Sequence, residues 1–276
     1  MNNPNYKPII LIFDSGIGGL SVYNEIKKQF PNIHYIYIFD NAGFPYGNKE
    51  QLFIIKRIIN IFEKIVSIFS ISLAIIACNT ASIISLFELR KRYVFPIIGL
   101  VPAIKPSVKI TKNGIIGLLA THNTITSMYV NKLIYKFAKN CIILKIQSSK
   151  LVYLAEEKFI GKKIFLKDLQ YVINPWLKQS QKPDTVILGC THFVLLRDEL
   201  QKVLPSNTYL IDSNIAIANR VSYLLKYTLI KIGYLKENIA FCTCINSKSI
   251  QISLTLKKYG FPILQELKFT EIINLN

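Results

Sequence analysis

Two short segments of this sequence share one layout, and that layout restricts how the chain can fold. In each, a largely apolar run of four residues leads into a small residue, a cysteine and then a threonine or an Asn-Thr pair. The runs are Leu73–Ile76 before Cys78 and Thr185–Leu188 before Cys190, and a helical pattern follows each cysteine. Short runs of this kind are typical of parallel strands buried on both faces. The repeated order of strand, turn and helix therefore predicts an α/β protein with parallel sheets.

The rest of the chain continues this alternation. Further strands are predicted at residues 8–13, 33–39, 95–100, 114–119, 141–146, 208–211, 239–245 and 261–264. Helical patterns lie between them, including one at 124–139 that Thr124 caps and one at 193–204, while the polar residues 1–7 are expected to be loose. A proline-bounded connection at 101–106 is the predicted crossing between two halves. Because each half carries one cysteine segment, we predict two similar α/β domains that face each other across a cleft.

The two cysteines are the candidate catalytic groups. Open α/β sheets bind ligands beyond the carboxyl ends of their strands, and there both thiols would also lie near a helix N-terminus. Such a terminus lowers the pKa of a thiol from about 8.5 toward neutrality, so we expect reactive thiols. A single cysteine at a strand end is more often a small buried hydrophobe. Two cysteines in matching contexts, each followed by hydroxyl or amide side chains, favour a catalytic pair.

Two thiols on opposite faces of a small substrate suit one reaction in particular. One thiolate removes a proton from a stereocentre and the other thiol supplies one, which inverts the centre without a cofactor or a metal. Donors around the substrate must stabilise the carbanion-like transition state more than the ground state. The suitable donors in the strand-end segments are Ser15, Asn79, Thr80, Thr121, Thr124 and Thr191. Asp14 is expected near the first thiol and His192 beside the second, so the two would be tuned differently.

Two loops add further candidate groups. The glycine-rich turn at residues 14–21 permits a close backbone approach to an anion at a helix N-terminus, but it does not fit the G-x-G-x-x-G fingerprint, so no dinucleotide site is expected. Asp14 either caps the following helix or provides polar chemistry at the strand tip. The loop at 41–47 ends in Tyr46 and Gly47, which offer a phenol and a backbone N–H. An ordinary Pro-Tyr-Gly turn is the simpler interpretation of that loop alone.

Charge and hydropathy raise two other classes of protein. The net charge is +18 although only 18% of residues are charged, which would suit a nucleic-acid-binding protein. The lysines are dispersed and no nucleic-acid motif is present, so a compositional bias toward lysine is the better explanation. Residues 65–87 are uncharged and long enough to cross a membrane. Because Asn79 and Thr80 lie near the middle of that run, we predict a helix end, a strand, a turn and a new helix instead.

The cysteine count indicates a reducing compartment. The five cysteines are Cys78, Cys141, Cys190, Cys242 and Cys244. Their number is odd, their spacing forms no disulfide framework and no signal peptide precedes them, so we expect a cytoplasmic protein. Cys141 is expected in the core. Cys242 and Cys244 are better explained by alternation on a strand than by metal binding, and all three are expected to be structural.

The motifs resemble one known family in combination. The segments that carry the resemblance are residues 14–21, 44–47, 77–82, 101–106, 117–121 and 188–193. They are similar to those of glutamate racemases, over residues 11 to about 213. Val194 stands where the family usually has proline, and His122-Asn123 replaces a basic-Gly pair. Neither departure removes a matched catalytic group, although both affect local loop geometry.

The resemblance implies a fold, an activity and a set of roles. Its fold is two α/β domains around the site with the tail returning to the first, which implies domains at 1–99 plus 212–276 and at 100–211. Its activity is cofactor-independent interconversion of L- and D-glutamate, which supplies D-glutamate for peptidoglycan. Its catalytic cysteines match Cys78, which takes the proton from D-glutamate, and Cys190, which takes it from L-glutamate. Its substrate contacts match Asp14, Ser15, Tyr46, Gly47, Asn79, Thr80, Thr191 and His192.

Three alternatives stay open at this point. A racemase for aspartate or another small amino acid would keep both cysteines and change the side-chain pocket. A Cys–His nucleophile formed by Cys190 and His192 is a second, although residues two apart rarely reach base geometry. A basic nucleic-acid-binding protein is the non-enzymatic alternative. The sequence leaves the oligomeric state open, with a homodimer among the expected arrangements.

Overall fold

A computed structural model describes residues 6–227 and 233–268 of the chain. The strands of these residues, in chain order, are β1 (Tyr6–Lys7), β2 (Ile9–Asp14), β3 (His34–Phe39), β4 (Leu73–Ile76), β5 (Ile97–Gly99), β6 (Ile115–Ala120), β7 (Ile142–Gln147), β8 (Thr185–Leu188), β9 (Tyr209–Ile211), β10 (Gly233–Tyr234), β11 (Ile239–Cys242) and β12 (Ile263–Glu266). The helices are α1 (Leu20–Gln29), α2 (Gln51–Ile68), α3 (Asn79–Arg92), α4 (Ile104–Ile110), α5 (His122–Thr126), α6 (Met128–Phe137), α7 (Lys150–Phe159), α8 (Leu166–Leu177), α9 (Thr191–Val194), α10 (Arg197–Val203), α11 (Asn214–Tyr227) and α12 (Ser247–Tyr259), with one 3-10 turn at Tyr46–Asn48.

The larger sheet has six parallel strands in the order β12-β11-β3-β2-β4-β5. Its central strand β2 is buried along its whole length, and its side chains alternate between two cores. Ile10 and Ile12 belong to one core, whereas Ile9, Leu11 and Phe13 belong to the other. This two-sided burial is why the strand reads as a continuous apolar run.

The smaller sheet has four parallel strands in the order β7-β6-β8-β9. Its cores also lie on both faces, with Leu119 in one and Leu118 and Ala120 in the other. The fold class predicted from the sequence is thus confirmed. Residues 9–99 and 239–266 supply one sheet and residues 115–211 the other. The division into domains at 1–99 plus 212–276 and at 100–211 stays a prediction.

The register of the central strands determines what lies at their ends. Phe13 of β2 is opposite Ile76 of β4, so Asp14 and Ala77 leave the larger sheet side by side. In the smaller sheet Leu119 of β6 is opposite Leu188 of β8, and the segments that lead to Thr121 and Cys190 follow together. The carboxyl ends of the two central strand pairs therefore carry the segments predicted to be functional.

Several local predictions from the sequence are wrong. The helix predicted at 124–139 is two helices, α5 and α6, because Ser127 interrupts it and its Oγ caps α6 by accepting from the Tyr129 N–H at 3.1 Å; Thr124 lies inside α5 and caps nothing. The helix predicted at 193–204 is also divided, into α9 and α10. Tyr6 and Lys7 are not loose, since β1 pairs antiparallel with β10. Residues 1–5 lie outside the described residues.

None of the three cysteines expected to be structural belongs to the strand-end segments that carry Cys78 and Cys190. Cys242 is fully buried at the end of β11, whereas Cys244 lies beyond the strand, which is shorter than predicted. Cys141 precedes β7 and is half-buried against a core cluster. In the described parts of the chain the five cysteines are free thiols, and no helix is both long and apolar enough to cross a membrane. Residues 65–87 form the end of α2, then β4, a turn and α3, as predicted.

Candidate active site

The two cysteines predicted to be catalytic line one small cavity between the strand ends of the two sheets. Most of the predicted site residues share it, and its lining consists of Ser15, Pro45, Tyr46, Gly47, Cys78, Asn79, Thr80, Thr121, Val152, Cys190 and His192. Asp14, Thr124 and Thr191 lie directly behind this lining and bond to it or to one another. Residues far apart in sequence thus meet because both sheets present their carboxyl edges to the same space.

Cys78 is the N-cap residue of α3. Its Sγ accepts from the backbone N–H of Ala81 at 3.5 Å and lies 3.8 Å from Ser15 Oγ. Burial raises the pKa of the Cys78 thiol well above its ordinary value, and the nearby Asp14 carboxylate raises it further, although the Ala81 N–H and Ser15 act in the opposite sense. The expected lowering by the helix terminus is therefore wrong for this thiol, because desolvation outweighs one backbone donor. Cys78 is therefore a neutral thiol at neutral pH.

Cys190 lies one residue before α9, and His192 is its nearest ionisable neighbour among the bonds described. Its Sγ is 4.0 Å from Nδ1 of His192, so these side chains do meet although they are two residues apart. Burial lowers the pKa of His192, but the contact with Cys190, the hydrogen bond to Glu156 and the charge of Asp14 outweigh burial and raise it to about 10. At neutral pH His192 is therefore an imidazolium beside the sulfur of Cys190, whereas the contacts of Cys78 described above include no cation.

Asp14 links the strand tips of the two sheets. Its Oδ1 accepts from the Gly16 N–H at 3.0 Å, and its Oδ2 accepts from Thr191 Oγ1 at 2.8 Å. The first bond shapes the glycine-rich turn, so Asp14 caps this turn rather than the helix that follows it. Burial raises the pKa of Asp14, while His192 and the two donors act against that effect.

The glycine-rich turn makes room for His192. A Cβ at Gly18 would lie 2.5 Å from His192 Nδ1 and 2.5 Å from Thr191 Oγ1, closer than any real contact. The structure shows that this turn admits the turn that follows Cys190, whereas the anion suggested from the sequence stays a prediction. Only glycine permits that approach of the two segments.

Three predicted threonines form a buried hydroxyl cluster across the two halves. Thr80 Oγ1 lies 2.9 Å from Thr121 Oγ1 and 3.4 Å from Thr124 Oγ1, and the last two oxygens are 3.2 Å apart. Thr80 belongs to α3 and the other two follow β6, so the cluster joins the Cys78 side to the second sheet. The neighbouring Asn79 is buried and lines the cavity.

The phenol of Tyr46 has a partner within the protein. Its hydroxyl donates to Asp40 Oδ2 at 2.5 Å, and Arg57 also holds that carboxylate through two bonds of 2.6 Å. The phenol proton suggested as a substrate donor is thus engaged, and the backbone at Gly47 is left for that role. A Cβ at Gly47 would lie 2.8 Å from Thr121 Cβ, so this turn too needs glycine.

Glu156 is a site residue that the sequence analysis missed. It lies on α7, is almost completely buried, and accepts with Oε1 from the Ile17 N–H at 2.9 Å and from His192 Nε2 at 3.0 Å. Burial alone would raise the pKa of Glu156, but His192 and Lys248 hold it below its ordinary value. One signal was present, because Glu156 falls on the same helix face as the buried Leu151, Val152 and Ala155.

This arrangement brings two thiols with opposite electrostatic surroundings to one cavity. Cys78 is held as a neutral thiol by burial and by the carboxylate of Asp14, whereas the sulfur of Cys190 lies 4.0 Å from Nδ1 of His192. Such a pair can hold a base on one side and an acid on the other. Among the described residues no cluster of three or more His, Cys, Asp or Glu side chains could hold a metal ion.

Comparisons with known proteins point in the same direction. Residues 10–221 match the family described as Asp/Glu/Hydantoin racemase. The chain is 49% identical to glutamate racemase of Klebsiella pneumoniae and 47% identical to that of Salmonella typhimurium; each alignment covers 95% of this chain and 92% of the relative.

Solved structures agree with these relatives. Glutamate racemase of Escherichia coli, in complex with L-glutamate and the activator UDP-MurNAc-ala, superposes with a TM-score of 0.92 at 46% identity over 94% of this chain and 98% of that one. The Francisella tularensis enzyme in complex with D-glutamate gives a TM-score of 0.75 at 25% identity over 96% and 98%.

Proposed function

The chain belongs to the Asp/Glu/hydantoin racemase family and is an isomerase, an amino-acid racemase; from that premise we propose that it interconverts L- and D-glutamate without a cofactor. The observation that carries the proposal is the pair of buried cysteines at matching strand ends, which line one cavity from the two sheets. Relatives that are 49% and 47% identical to this chain are named glutamate racemases, which supports glutamate over aspartate.

The reaction needs one proton to leave the α-carbon and another to arrive on the opposite face. In the proposed cycle a cysteine thiolate takes the α-proton, and the electron pair of that C–H bond is left on the α-carbon and its carboxylate. The thiol of the other cysteine then donates its proton to the opposite face and becomes the thiolate. The enzyme ends with the two sulfurs in exchanged protonation states, ready for the reverse direction.

The two sulfurs have different neighbours, which supports an assignment of one direction to each cysteine. Burial and Asp14 keep Cys78 a neutral thiol, while the imidazolium of His192 lies 4.0 Å from the sulfur of Cys190. We therefore assign to Cys190 the removal of the proton from L-glutamate, in agreement with the family resemblance. Cys78 would remove it from D-glutamate after the thiols exchange roles.

The polar lining supplies the groups that bind substrate. We assign the substrate carboxylates and amine to the Ser15 hydroxyl, the Gly47 backbone, the Asn79 amide and the hydroxyls of Thr80 and Thr121, all of which line the cavity. Three residues behind the lining would orient it. Thr124 bonds Thr80, Asp14 bonds Ser15, and Thr191 bonds Asp14. Donors placed at the substrate carboxylate would stabilise the negative charge that develops as the α-proton leaves.

The expected setting follows from the same chemistry. Free thiols suit a reducing cytoplasm, and D-glutamate would be supplied for peptidoglycan. Racemisation balances without an oxidant, a reductant or a cofactor, because only protons move. A homodimer would be compatible with this reaction.

The direct test is circular dichroism at a fixed wavelength while the purified protein acts on L-glutamate with no added cofactor. We expect the signal to decay to zero, and to do so from D-glutamate as well. L-Aspartate serves as the comparison substrate, and the Cys78→Ala variant serves as the enzyme control. Faster loss of signal with aspartate would assign the pocket to the other substrate, and no loss with either would reject the proposal.

A Cys–His nucleophile is the second chemistry that one observation favours, namely the 4.0 Å contact between Cys190 and His192. It leaves Cys78 without a role in the cavity. An activated ester of glutamate that acylates Cys190 at a rate exceeding racemisation would support it.

A further inference from the structure

Lys248 makes a contact with the site that neither the sequence pattern nor the proposed reaction explains. It is the second residue of α12, and its Nζ lies 3.0 Å from Glu156 Oε2. The Glu156 side chain is 4% exposed and the Lys248 side chain 40% exposed, so the lysine reaches from the surface to a buried carboxylate. Its Nζ also lies 5.4 Å from the ring centroid of Phe44, which packs against His192 at 5.7 Å.

We propose that Lys248 is a positioning residue for the Cys190 side of the site, acting through Glu156 and His192. The inference rests on the proposed function, because it assigns Lys248 to one direction of that racemisation. It adds a residue from the C-terminal helix to the group around the cavity.

The first step of the argument is the use of both oxygens of Glu156. Oε1 accepts from the Ile17 N–H and from His192 Nε2, so it orients both the glycine-rich turn and the imidazole. Oε2 is held by Lys248. A carboxylate on an otherwise apolar helix face costs free energy unless it is paired, and the lysine supplies that pairing. With Lys248 in place, Glu156 stays ionised and Oε1 stays aimed at His192.

The second step is that helix stability does not explain the position of Lys248. A cation in the first turn of a helix is disfavoured by the helix dipole. The N-terminus of α12 is already satisfied by a capping box between Asn246 and Ser249. At this position Lys248 makes the contact with Glu156. That contact joins the two parts of the fold, because Glu156 lies between strands of the smaller sheet and α12 follows β11 of the larger sheet.

The third step concerns the charges around Glu156. The groups that interact with it are His192 from α9, Lys248 from α12, Asp14 from the end of β2 and Tyr37 from β3. Asp14 adds negative charge and Tyr37 is neutral at ordinary pH, so Lys248 and His192 are the cations that keep Glu156 ionised. Without Lys248 the pKa of Glu156 rises, and the carboxylate takes up a proton at higher pH as the solution is acidified.

The variant Lys248→Met removes the charge and keeps the apolar stem. We expect the turnover number for L-glutamate to fall several-fold with little change in KM, and the acid limb of its pH profile to move up by about half a pH unit. The effect is modest because the lysine is partly exposed and its charge is screened. Lys248→Arg should restore both values, which a loss of packing alone would not predict.

Two controls separate positioning from a structural role. Lys257→Met removes a charge from the exposed face of the same helix and should leave the profile unchanged. In a Glu156→Gln background, Lys248→Met should produce no further loss, because its route to His192 is gone. Additive losses in the double variant, or equal effects of the two Lys→Met variants, would overturn the inference.

A readout independent of turnover keeps the test separate from the proposed reaction. The ring signals of His192 in histidine-labelled protein, assigned with His192→Asn, should report the protonation of Glu156 by NMR. In a plot of the His192 chemical shifts against pH, the inflection caused by Glu156 should lie at higher pH in Lys248→Met than in wild type. An unmoved inflection refutes the role of Lys248 whatever the substrate is, whereas a protein that shows the shift but racemises no glutamate refutes the proposed function alone.

Discussion

Replacing His192 by asparagine removes the cation beside one of the two sulfurs and is the most informative single change. The Nδ1 atom of His192 is 4.0 Å from Cys190 Sγ. At an effective dielectric constant of about 20, unit charges at that separation interact by about 4 kcal/mol, and each ~1.4 kcal/mol is a factor of ten. We therefore expect the turnover number from L- to D-glutamate to fall by about 10² to 10³.

The reverse direction provides the internal comparison. The equilibrium constant between enantiomers is one, so kcat/KM must fall equally in both directions, and the asymmetry appears in kcat and KM separately. In His192→Asn the turnover number for D-glutamate should fall less and its KM should rise. Asp14→Asn should show the opposite asymmetry, because Asp14 acts on Cys78.

The assay is circular dichroism of both directions, with α-deuterated substrates to locate the slow proton transfer. His122→Asn is the matched control, since His122 is exposed on α5 and bonds Gln147. The alkaline limb adds a pH test: the imidazolium is present below its pKa of about 10 and is lost above it, so wild-type turnover of L-glutamate should decline near that pH and the variant should lack this limb. The assigned roles would be refuted if His192→Asn and Asp14→Asn each changed kcat, KM and the isotope effect by the same factor in both directions.

Three further changes test other parts of the account. Alanine at either Cys78 or Cys190 should abolish racemisation in both directions in the dichroism assay, and near-normal activity in one of them would contradict a two-base reaction. We expect KM for glutamate to stay nearly unchanged in the variants Cys141→Ser, Cys242→Ala and Cys244→Ser. Loss of a bound metal together with activity in any of them would contradict a structural role. Gly18→Ala should reduce turnover at least tenfold, because its Cβ would displace His192 and Thr191, and wild-type kinetics would show that the turn can yield.

The buried strands were predictable because a short apolar run that is buried on both faces is typical of a parallel strand. β4 is apolar throughout, is buried on both faces and has the predicted bounds Leu73–Ile76. The ends of helices were harder to predict. The division between α5 and α6 depends on one local hydrogen bond to Ser127, whereas the apolar pattern of the sequence continues unbroken across it. The pairing of β1 with β10 joins residues far apart in sequence and leaves no local signal.

The same contrast holds for the site. The strand-end cysteines and hydroxyls could be predicted to lie close together because their positions follow from the order of the strands in each sheet. Glu156 was not, because a carboxylate on a helix is ordinarily read as exposed, and its partners Ile17, His192 and Lys248 come from three other segments. The raised pKa of Cys78 was missed for the same reason, since desolvation depends on the packing of both sheets rather than on the helix that follows the thiol.

Racemisation of L-glutamate in D₂O, stopped within the first few per cent of turnover, tests the two-cysteine reaction most directly. Two bases on opposite faces predict that the D-glutamate formed carries deuterium at the α-carbon while the remaining L-glutamate carries none, and the mirror result from D-glutamate. Mass spectrometry of the separated enantiomers measures both. D-Glutamate that retains the original proton, or L-glutamate that gains deuterium as fast as product forms, would mean that one base serves both faces and would contradict the account.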